Sequence, residues 1–408
     1  MKVMVINCGS SSLKFKLFDL NGGHTALAEG LIEEIGRPQS PFCYQSHRMK
    51  KGEKLNTSVK AENHTEAVEV VAKTLLDPKV GLFEGSIQVD AVGHRVVHGG
   101  EKFSKSALIT KGVREVIEAC CELAPLHNPP NLAGIVACEQ IFPGVRQVAV
   151  FDTAFHQTMP RKAYIYGLPY ELYERYHIRK YGFHGTSHEY VSHRAAELLG
   201  KDITKLRIVT NHLGNGASST AVKFGQSIDT SMGFTPLQGL VMGTRTGDMD
   251  PAVVLFLMDK EHLDLKAIND LLNKKSGLKG ISGISNDLRQ IMEAAKNGNA
   301  RAHVAIDSMV YRITKYIGSY AAAMGGLDAI IFTGGIGENA PTIREKVLEP
   351  LEFLGVHLDK ERNLSSDREK RITTDDSPVA ALVIPTNEEL MIAIKVKAVV
   401  EEATAENH

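Results

Sequence analysis

The sequence has almost no net charge, because 47 lysine and arginine residues stand against 48 aspartate and glutamate residues. A chain without a basic surplus has no overall electrostatic reason to bind nucleic acid or an anionic membrane, so any anion site must be local. Long apolar runs are also lacking, and none approaches the roughly 20 residues that span a bilayer. We therefore expect neither nucleic acid nor a membrane among the partners of this chain.

Cysteine is scarce as well. The five cysteines are odd in number and lack the paired spacing of sulfur-based metal sites; they are Cys8, Cys43, Cys120, Cys121 and Cys138. Reduced thiols in a cytoplasm fit this pattern best. The chain begins directly with a strand-like apolar run in which nothing resembles a signal peptide, so we expect a cytoplasmic location.

The length and the apolar pattern predict a layered α/β fold. A chain of 408 residues is too long for one ordinary core, so two or three domains are expected. Helix-like segments such as SHEYVSHRAAELLG and a stripe from Glu62 to Leu76, with Asn63 or Thr65 as its cap, alternate with runs of strand length. These runs are VDAVGHRVV, RQVAVFD, RIVTN, DAIIFTGG and VAALVIP.

The opening hairpin has a weak internal counterpart. VINCGSSSLKFKLF and IVTNHLGNGASSTAVKFG are each an apolar run, an asparagine, a turn of small residues and a second strand. Asn, Gly and Ser are ordinary hairpin residues, so this pattern alone leaves both duplication and coincidence open.

Polar groups stand at the ends of five apolar runs. In layered α/β proteins, ligands sit outside the carboxyl ends of strands, so these groups are expected to converge. Taken singly, each can equally be a turn former or a surface polar group. The groups are Asn7, Arg95 with His98, Asp152, Asn211 with His212, and Thr333 with Gly334.

Two glycine clusters are candidate phosphate loops. The GSSSLK turn lacks the GxxxxGK[ST] spacing, but Gly9 permits close backbone approach and Lys14 offers a point charge. A plain serine-rich hairpin with an exposed lysine is the alternative. The second cluster, FTGGIGENAP, follows a strand without matching the dinucleotide fingerprint, and Asn339 can instead mark a helix start.

Two arginines and two carboxylates stand out for their surroundings. Arg95 in GHRVVHGGEKF and Arg245 in MGTRTGDMDP lie among glycines, where a guanidinium can reach a small carboxylate or phosphate, although surface ion pairs are the alternative. His184 in YGFHGTSH strengthens the hypothesis of a small-anion site. Asp152 and Glu388 each follow a strand, as expected of magnesium-binding carboxylates, although Glu388 can instead complement a helix dipole.

Together these motifs resemble the acetate and propionate kinase family of the actin, Hsp70 and sugar kinase superfamily. The resemblance runs nearly end to end, in the family's order. It rests on NCGSSSLKF, GHRVVHGG, PLHNPPN, FDTAFH, YGFHGTSH, NHLGNGAS, DTSMGFTPLQGLVMGTRTGDMDP, FTGGIGEN and PTNEE.

The resemblance implies an α/β fold of two related domains of the actin-like ATPase (ribonuclease H-like) type with an interdomain cleft. Residues 1–151 with 386–408 would form the first domain, including a returning C-terminal helix. Residues 152–385 would form the second, nucleotide-binding domain. The internal echo would then be a duplication whose two hairpins face the phosphates.

The resemblance also implies the activity, an ATP-dependent, reversible phosphorylation of acetate to acetyl phosphate by direct in-line transfer. It implies a cytoplasmic homodimer that uses Mg²⁺, or Mn²⁺, with ATP and ADP as cosubstrates. A propionate or butyrate kinase is the alternative within this class. A non-enzymatic, actin-like nucleotide switch is the alternative outside it, since a fold does not fix a function.

Site residues follow from the resemblance motif by motif. Catalytic roles are implied for Arg95, Asp152, His184 and Arg245. Arg95 would also bind acetate, whose methyl group would meet Val97, Leu126, Phe183 and Pro236, and valine at position 97 looks like the acetate-preferring form. The metal would be held by Asn7 and Glu388.

The nucleotide and its phosphates would be bound by a larger set. The family often has an aromatic residue where this chain has Leu288. The stacking contact with adenine is the part of the implied site that this departure affects. The implied residues are Asn7, Ser10, Ser12, Lys14, His212, Gly214, Asn215, Gly216, Asp287, Leu288, Arg289, Gly335, Ile336, Gly337 and Asn339.

Overall fold

The structure, a computed structural model, describes residues 1–405 and divides the chain into two compact units. Unit 1 comprises Met1–Phe155 and the chain from Asn387 onward, and unit 2 comprises His156–Thr386. The first domain expected from the sequence extends to residue 408, so residues 406–408 of that expectation lie outside the described part of the chain.

Unit 1 is built on a single eight-stranded sheet. Its strands are β1 (Lys2–Cys8), β2 (Leu13–Asp19), β3 (Thr25–Ile32), β4 (Ser40–Ser46), β5 (Leu55–Val59), β6 (Ala91–Val96), β7 (Ala107–Leu108) and β8 (Arg146–Phe151). They lie in the order β5-β4-β3-β2-β1-β6-β8-β7. β1 is antiparallel to β2 and parallel to β6, and β6 is parallel to β8.

Unit 2 contains a six-stranded sheet with the order β11-β10-β9-β12-β14-β13. This order repeats the order β3-β2-β1-β6-β8-β7 of unit 1, with antiparallel pairs at the hairpin and at the far edge and parallel pairs between. The two hairpins that resemble each other in sequence therefore occupy equivalent places in their sheets. The strands are β9 (Arg207–Leu213), β10 (Ala217–Lys223), β11 (Gln226–Thr230), β12 (Ala329–Thr333), β13 (Lys370–Arg371) and β14 (Ala380–Val383).

Helices account for most of the remaining regular structure, and the prediction of an α/β fold is confirmed. In chain order they are α1 (His64–Leu75), α2 (Lys111–Ala119), α3 (Asn128–Ile141), α4 (Arg161–Tyr164), α5 (Tyr170–Tyr176), α6 (Gly185–Leu199), α7 (Ala252–Lys260), α8 (Leu265–Asp270), α9 (Gly277–Ser282), α10 (Leu288–Lys296), α11 (Ala300–Met324), α12 (Gly334–Asn339), α13 (Pro341–Leu348), α14 (Lys360–Leu364) and α15 (Glu388–Ala405).

Local sequence accounts for where these helices begin. The Asn63 side chain accepts a hydrogen bond from the Glu66 amide at 3.0 Å, so Asn63, rather than Thr65, caps α1. The stripe of that helix packs its apolar side chains into the core of unit 1. Pro341 stands at the first position of α13, where its missing amide hydrogen costs nothing.

Two asparagines on the first turn of α3 hold the ends of the central strands in unit 1. Asn131 donates to the Cys8 carbonyl at 2.7 Å and accepts from the Val97 amide at 3.0 Å. Asn128 accepts from the amide of His98 and donates to its carbonyl, at 3.1 and 2.9 Å. Both asparagines are buried, so these bonds fix the backbone that follows β1 and β6.

Within residues 1–405, no helix combines the length and the apolar character that crossing a membrane requires.

Candidate active site

The first hairpin of unit 1 presents a four-residue turn. The Gly9 amide donates to the Ser12 carbonyl at 2.8 Å, and His64 at the start of α1 donates to the Gly9 carbonyl, also at 2.8 Å. Ser10 is exposed and Ser12 is half-buried, while Asn7 is half-buried at the end of β1. The turn therefore offers hydroxyls and a fixed backbone to a ligand.

Arg95 stands at the centre of a charged cluster in unit 1. Its Nε and Nη2 donate to the two carboxylate oxygens of Asp152, at 3.1 and 2.5 Å, and Nε lies 3.9 Å from the Glu388 carboxylate. Asp152 is almost completely buried, whereas Arg95 and Glu388 are 22% and 21% exposed. Burial opposes the charge of Arg95, but Asp152 and Glu388 outweigh it and raise the pKa of the guanidinium.

The two glutamates that open α15 have opposite electrostatic surroundings. Burial, with Asp152 and Glu389 nearby, raises the pKa of Glu388 despite the opposing charge of Arg95. Burial also acts against Glu389, but Lys14 forms an ion pair with this carboxylate and lowers its pKa overall. Lys14, which the sequence places at the phosphate turn, is thus held by Glu389. With all groups ionised, three carboxylates face two cations, so the cluster is net negative.

Unit 2 contains a pocket of about 890 Å³, a volume suited to a nucleotide-sized ligand. One wall is the turn of the second hairpin, another is the start of α10, and a third runs from α12 into α13. Eight residues of the expected nucleotide-binding set lie in its walls, namely Gly214, Asn215, Asp287, Leu288, Arg289, Gly335, Ile336 and Asn339. Gly216, His212 and Gly337 are not among the lining residues.

Asp287 and Arg289 line this pocket at the start of α10. Asp287 caps α10 by accepting from the Arg289 amide at 2.9 Å, and the Arg289 side chain bonds the same carboxylate at 2.7 Å. The Arg289 side chain is 90% exposed, so it is available to a ligand. Leu288, Met292 and Ile336 supply the apolar lining, which means that aliphatic side chains take the place of an aromatic ring.

The GGIGEN segment, expected as a loop, is helical. It forms α12 directly after β12, and the amide of Gly334 donates to the Glu338 side chain at 3.0 Å. A Cβ added at Gly337 would lie 3.2 Å from the Phe332 backbone, so this glycine permits close packing of α12 on its strand. Behind it, the buried Arg344 donates to the carbonyls of Gly337 and Glu338, at 2.8 and 2.9 Å.

His184 is positioned by an unusual backbone and a hydroxyl. It adopts a left-handed φ of 56° immediately before α6, a conformation that a non-glycine residue holds only at an energetic cost. Its Nδ1 lies 2.8 Å from the Ser218 hydroxyl, which also lies 2.7 Å from Nε2 of the buried His188. Burial lowers the pKa of His188 well below its usual value, so this neighbour is neutral.

His212 stacks on His184, with ring centroids 4.3 Å apart. Its Nδ1 lies 2.8 Å from the Ser187 hydroxyl, which in turn lies 2.8 Å from that of Thr386. The stacked His212 ring thereby restrains one face of the His184 ring, while Ser218 holds its Nδ1 edge.

Arg245 lies beside His184 and the second hairpin turn. A Cβ added at Gly216 would lie 3.6 Å from both Arg245 Nη1 and His184 Nε2, so the turn passes within ordinary contact distance of both side chains. The guanidinium donates to the Pro236 carbonyl at 3.4 Å and has no carboxylate partner within residues 1–405. Burial lowers its pKa without compensation, which is the environment expected of an anion-binding arginine.

The four residues expected around the acetate methyl group differ in their surroundings. Val97 and Phe183 are buried, at 6% and 3% exposure, whereas Leu126 is 64% exposed and Pro236 is half-buried. Val97 and Leu126 belong to unit 1, and Phe183 and Pro236 belong to unit 2.

Several positioning residues carried no sequence-based role, and three of them lie inside the quoted motifs. Asn128 and Asn131 belong to PLHNPPN, where their i,i+3 spacing at a helix start was the available signal. Ser218 belongs to NHLGNGASS, and Asn286, whose side chain donates to that of Asn215 at 3.0 Å, precedes Asp287. Arg344 had no signal in the sequence, because its burial depends on the packing of α12 and α14.

Because the pKa shifts of Glu388 and Glu389 are opposite, replacing each with glutamine should change the stability of the protein in opposite directions. The raised pKa of Glu388 means that its stabilising contribution is complete below about pH 4.5 and is lost as pH rises through the shifted value. The lowered pKa of Glu389 means that its contribution is present above about pH 4.5 and is lost as pH falls through the shifted value. At pH 7.5, Glu388→Gln should raise the urea midpoint and Glu389→Gln should lower it.

Urea titrations of both variants and the parent chain between pH 5 and 8 provide the measurement. The difference in urea midpoint between each variant and the parent chain should become smaller towards pH 5. If both variants shift the urea midpoint in the same direction at pH 7.5, Glu388 and Glu389 do not have the opposite electrostatic surroundings described above.

Comparison with known proteins gives a consistent result. The Acetokinase family matches residues 2–394. The chain is 55% identical over 401 residues to the acetate kinase of Halothermothrix orenii, covering 98% of this chain and 100% of that protein. A crystal structure of Porphyromonas gingivalis acetate kinase is similar with a TM-score of 0.93 and 51% identity, covering 98% and 99% of the two chains.

A propionate kinase structure from Francisella tularensis is also similar, with a TM-score of 0.89, 44% identity, and coverage of 97% and 99%. The predicted resemblance and fold type are thus confirmed, and the curated relatives favour the acetate kinase interpretation over the two alternatives. This chain belongs to the acetokinase family.

Proposed function

We propose that this protein is a kinase that transfers the γ-phosphoryl group of ATP to acetate, reversibly, to give ADP and acetyl phosphate. The observation that carries the proposal is in unit 2. A nucleotide-sized pocket lined by eight residues of the expected nucleotide set ends at a hairpin turn, and that turn lies against Arg245 and His184. Two cationic or hydrogen-bonding side chains beside a nucleotide pocket are suited to a transferring phosphoryl group.

The chemistry requires no general base. Acetate is ionised at neutral pH and is already a nucleophile, so the site has only to hold the reactants and neutralise charge. Arg245 and His184 would bind the equatorial oxygens of the phosphoryl group, on which negative charge spreads in the transition state. Arg95, oriented by both oxygens of Asp152, would bind the acetate carboxylate.

The turns of the two hairpins would bind the polyphosphate. Asn7, Ser10, Ser12 and Lys14 belong to the first turn, and Gly214, Asn215 and Gly216 to the second. Support comes from the equivalent positions of the two hairpins in sheets of the same strand order. We infer that the units are two domains of common origin, divided near residues 151 and 386.

Magnesium, or manganese, would join the phosphates in this site. No group of three or more His, Cys, Asp or Glu side chains within residues 1–405 is placed to hold a metal by itself. Magnesium bound to nucleotides typically takes one or two protein carboxylates and completes its shell with phosphate oxygens and water. Glu388 fits this requirement, because it lies in a net negative cluster and Arg95 occupies both oxygens of Asp152. The ion would neutralise phosphate charge, with the Asn7 amide oxygen as a further ligand.

Acetate is the proposed substrate because Val97 is bulky and buried. One methylene is worth about 1–3 kcal/mol in an apolar pocket, so propionate should be a poorer substrate without being excluded. A cytoplasmic location is part of the proposal and is supported by the five cysteines, which are all free thiols.

A homodimer is proposed from an exposed apolar helix in unit 2. None of the nine residues of α7 is buried, although its sequence is AVVLFLMDK. Leu255 and Phe256 are 71% and 60% exposed. Contiguous exposed apolar surface of this kind marks an interaction site, and a second copy of the chain would cover it.

Acyl phosphate formation tests the function and its selectivity together. Purified protein with ATP and Mg²⁺ is offered acetate, propionate or butyrate, and the product is trapped with hydroxylamine. We expect the highest kcat/KM with acetate. Val97→Ala should enlarge the pocket and improve the propionate-to-acetate ratio roughly tenfold, since a methylene-sized space becomes available.

The matched control is Val136→Ala, a partly exposed valine on α3 in the same unit, which should leave the ratio unchanged. A preference for propionate in the parent protein would overturn the substrate assignment while preserving the reaction type. Absence of acyl phosphate with every acid would overturn the proposed function.

Phe256→Asp should convert the dimer to a monomer, because a charge would be buried in the apolar interface. Sedimentation velocity at micromolar concentration measures the mass. Phe353→Asp is the control, since Phe353 is 79% exposed but lies outside α7, and this variant should remain dimeric. A dimer that persists in Phe256→Asp would place the interface elsewhere.

A further inference from the structure

The loop that carries Arg245 is closed at its base by one carboxylate. The Gly239 amide donates to Asp248 Oδ1 at 3.1 Å, and the Asp248 amide donates to the Gly239 carbonyl at 2.9 Å. Between them, Gly247 has a φ of 69°, and an added Cβ would lie 2.3 Å from the Leu240 carbonyl. The ends of the loop 239–248 are therefore locked together, and no larger residue fits at Gly247.

The second oxygen of the same carboxylate ties the loop to α11. Tyr316 donates its hydroxyl to Asp248 Oδ2 at 2.6 Å, and Arg312 Nη1 lies 3.8 Å from that oxygen. Burial and the charge of Asp248 raise the pKa of Tyr316, so the phenol stays protonated and remains a donor. α11 packs on β9 and β10 of the sheet, so this hydrogen bond anchors the loop to the core of unit 2.

The side chain of Arg245 makes only weak contacts with the described part of the protein. Its contacts are a 3.4 Å bond to the Pro236 carbonyl and a 3.9 Å contact with the Met242 sulfur. Its backbone is held better, because the Arg245 carbonyl accepts from the Met242 amide and the Gly243 amide bonds the Asn215 carbonyl at 2.9 Å. The position of the guanidinium thus depends on the backbone of the loop.

We propose that Asp248 and Tyr316 are positioning residues for Arg245. By closing the loop and anchoring it to α11, they hold the guanidinium where the transferring phosphoryl group binds. This inference rests on the proposed function, since it concerns the same reaction. Neither residue bonds the Arg245 side chain itself.

The helix supplies a matched pair of tyrosines for the test. Tyr320 lies one turn beyond Tyr316 on α11, with ring centroids 5.5 Å apart. Its hydroxyl is buried and has no hydrogen-bond partner within residues 1–405. Tyr316→Phe and Tyr320→Phe each remove one hydroxyl from the same helix, but only the first removes a bond to Asp248.

We expect Tyr316→Phe to lower kcat about tenfold while KM for ATP changes less than about twofold, because misplacing one transition-state group affects turnover more than nucleotide binding. Tyr320→Phe should retain the parent kcat and KM. Parent kcat in Tyr316→Phe would overturn the inference, and formation of acyl phosphate by the parent protein in the same assay would show that the proposed function had survived.

A double-mutant cycle tests whether Tyr316 acts through Arg245. Arg245→Ala should lower turnover on the order of 100-fold, and adding Tyr316→Phe should then have no further effect on kcat. A full additional tenfold loss in the double variant would show that Tyr316 acts independently of Arg245.

Hydrogen exchange gives a readout that does not depend on activity. Amide exchange in peptides covering residues 239–248 should be faster in Tyr316→Phe than in Tyr320→Phe and the parent protein, because the base of the loop opens more often. Equal exchange in the three proteins would show that the tyrosine does not restrain the loop.

Discussion

The half-buried guanidinium of Arg245 lacks a carboxylate partner within the described residues, and the loop that carries it is held in place by bonds at its base. Arg95 in unit 1 provides the contrast, since Asp152 and Glu388 neutralise it. A cation whose charge is not compensated by the protein gains most when an anion arrives. We therefore propose that the interaction of Arg245 strengthens as charge develops on the phosphoryl group, whereas Arg95 is held ready to bind the acetate carboxylate.

An arginine without an ion pair has to be held by its backbone. The loop 239–248 is closed on itself, bonded to the second hairpin turn and joined to α11, and the turn at Gly216 lies close to both Arg245 and His184. His184 is likewise fixed by a left-handed backbone and by Ser218. Such preorganisation lets fixed charges stabilise a transition state without reorganising during the reaction.

The sequence was sufficient for the α/β class, the family and eight of the fifteen residues that line the pocket, because glycine-rich motifs at strand ends carry a chemical signature. It was not sufficient for the helical form of GGIGEN, whose Gly337 and Glu338 carbonyls accept from Arg344, a side chain that Asn363 of α14 holds in place. The role of Tyr316 was also missed, since a tyrosine on an ordinary helical stripe gives no sign of its contact with Asp248. Lys14 looked like a free phosphate ligand, and only the structure shows its ion pair with Glu389.

We propose that the site works by positioning and charge neutralisation, with no side chain that becomes covalently phosphorylated. The most direct test is the stereochemical course of transfer from ATP made chiral at the γ-phosphorus with oxygen isotopes. Direct in-line attack by acetate inverts the configuration once, so we expect acetyl phosphate of inverted configuration. Retention would require two successive displacements through a phosphorylated residue and would rule out direct transfer.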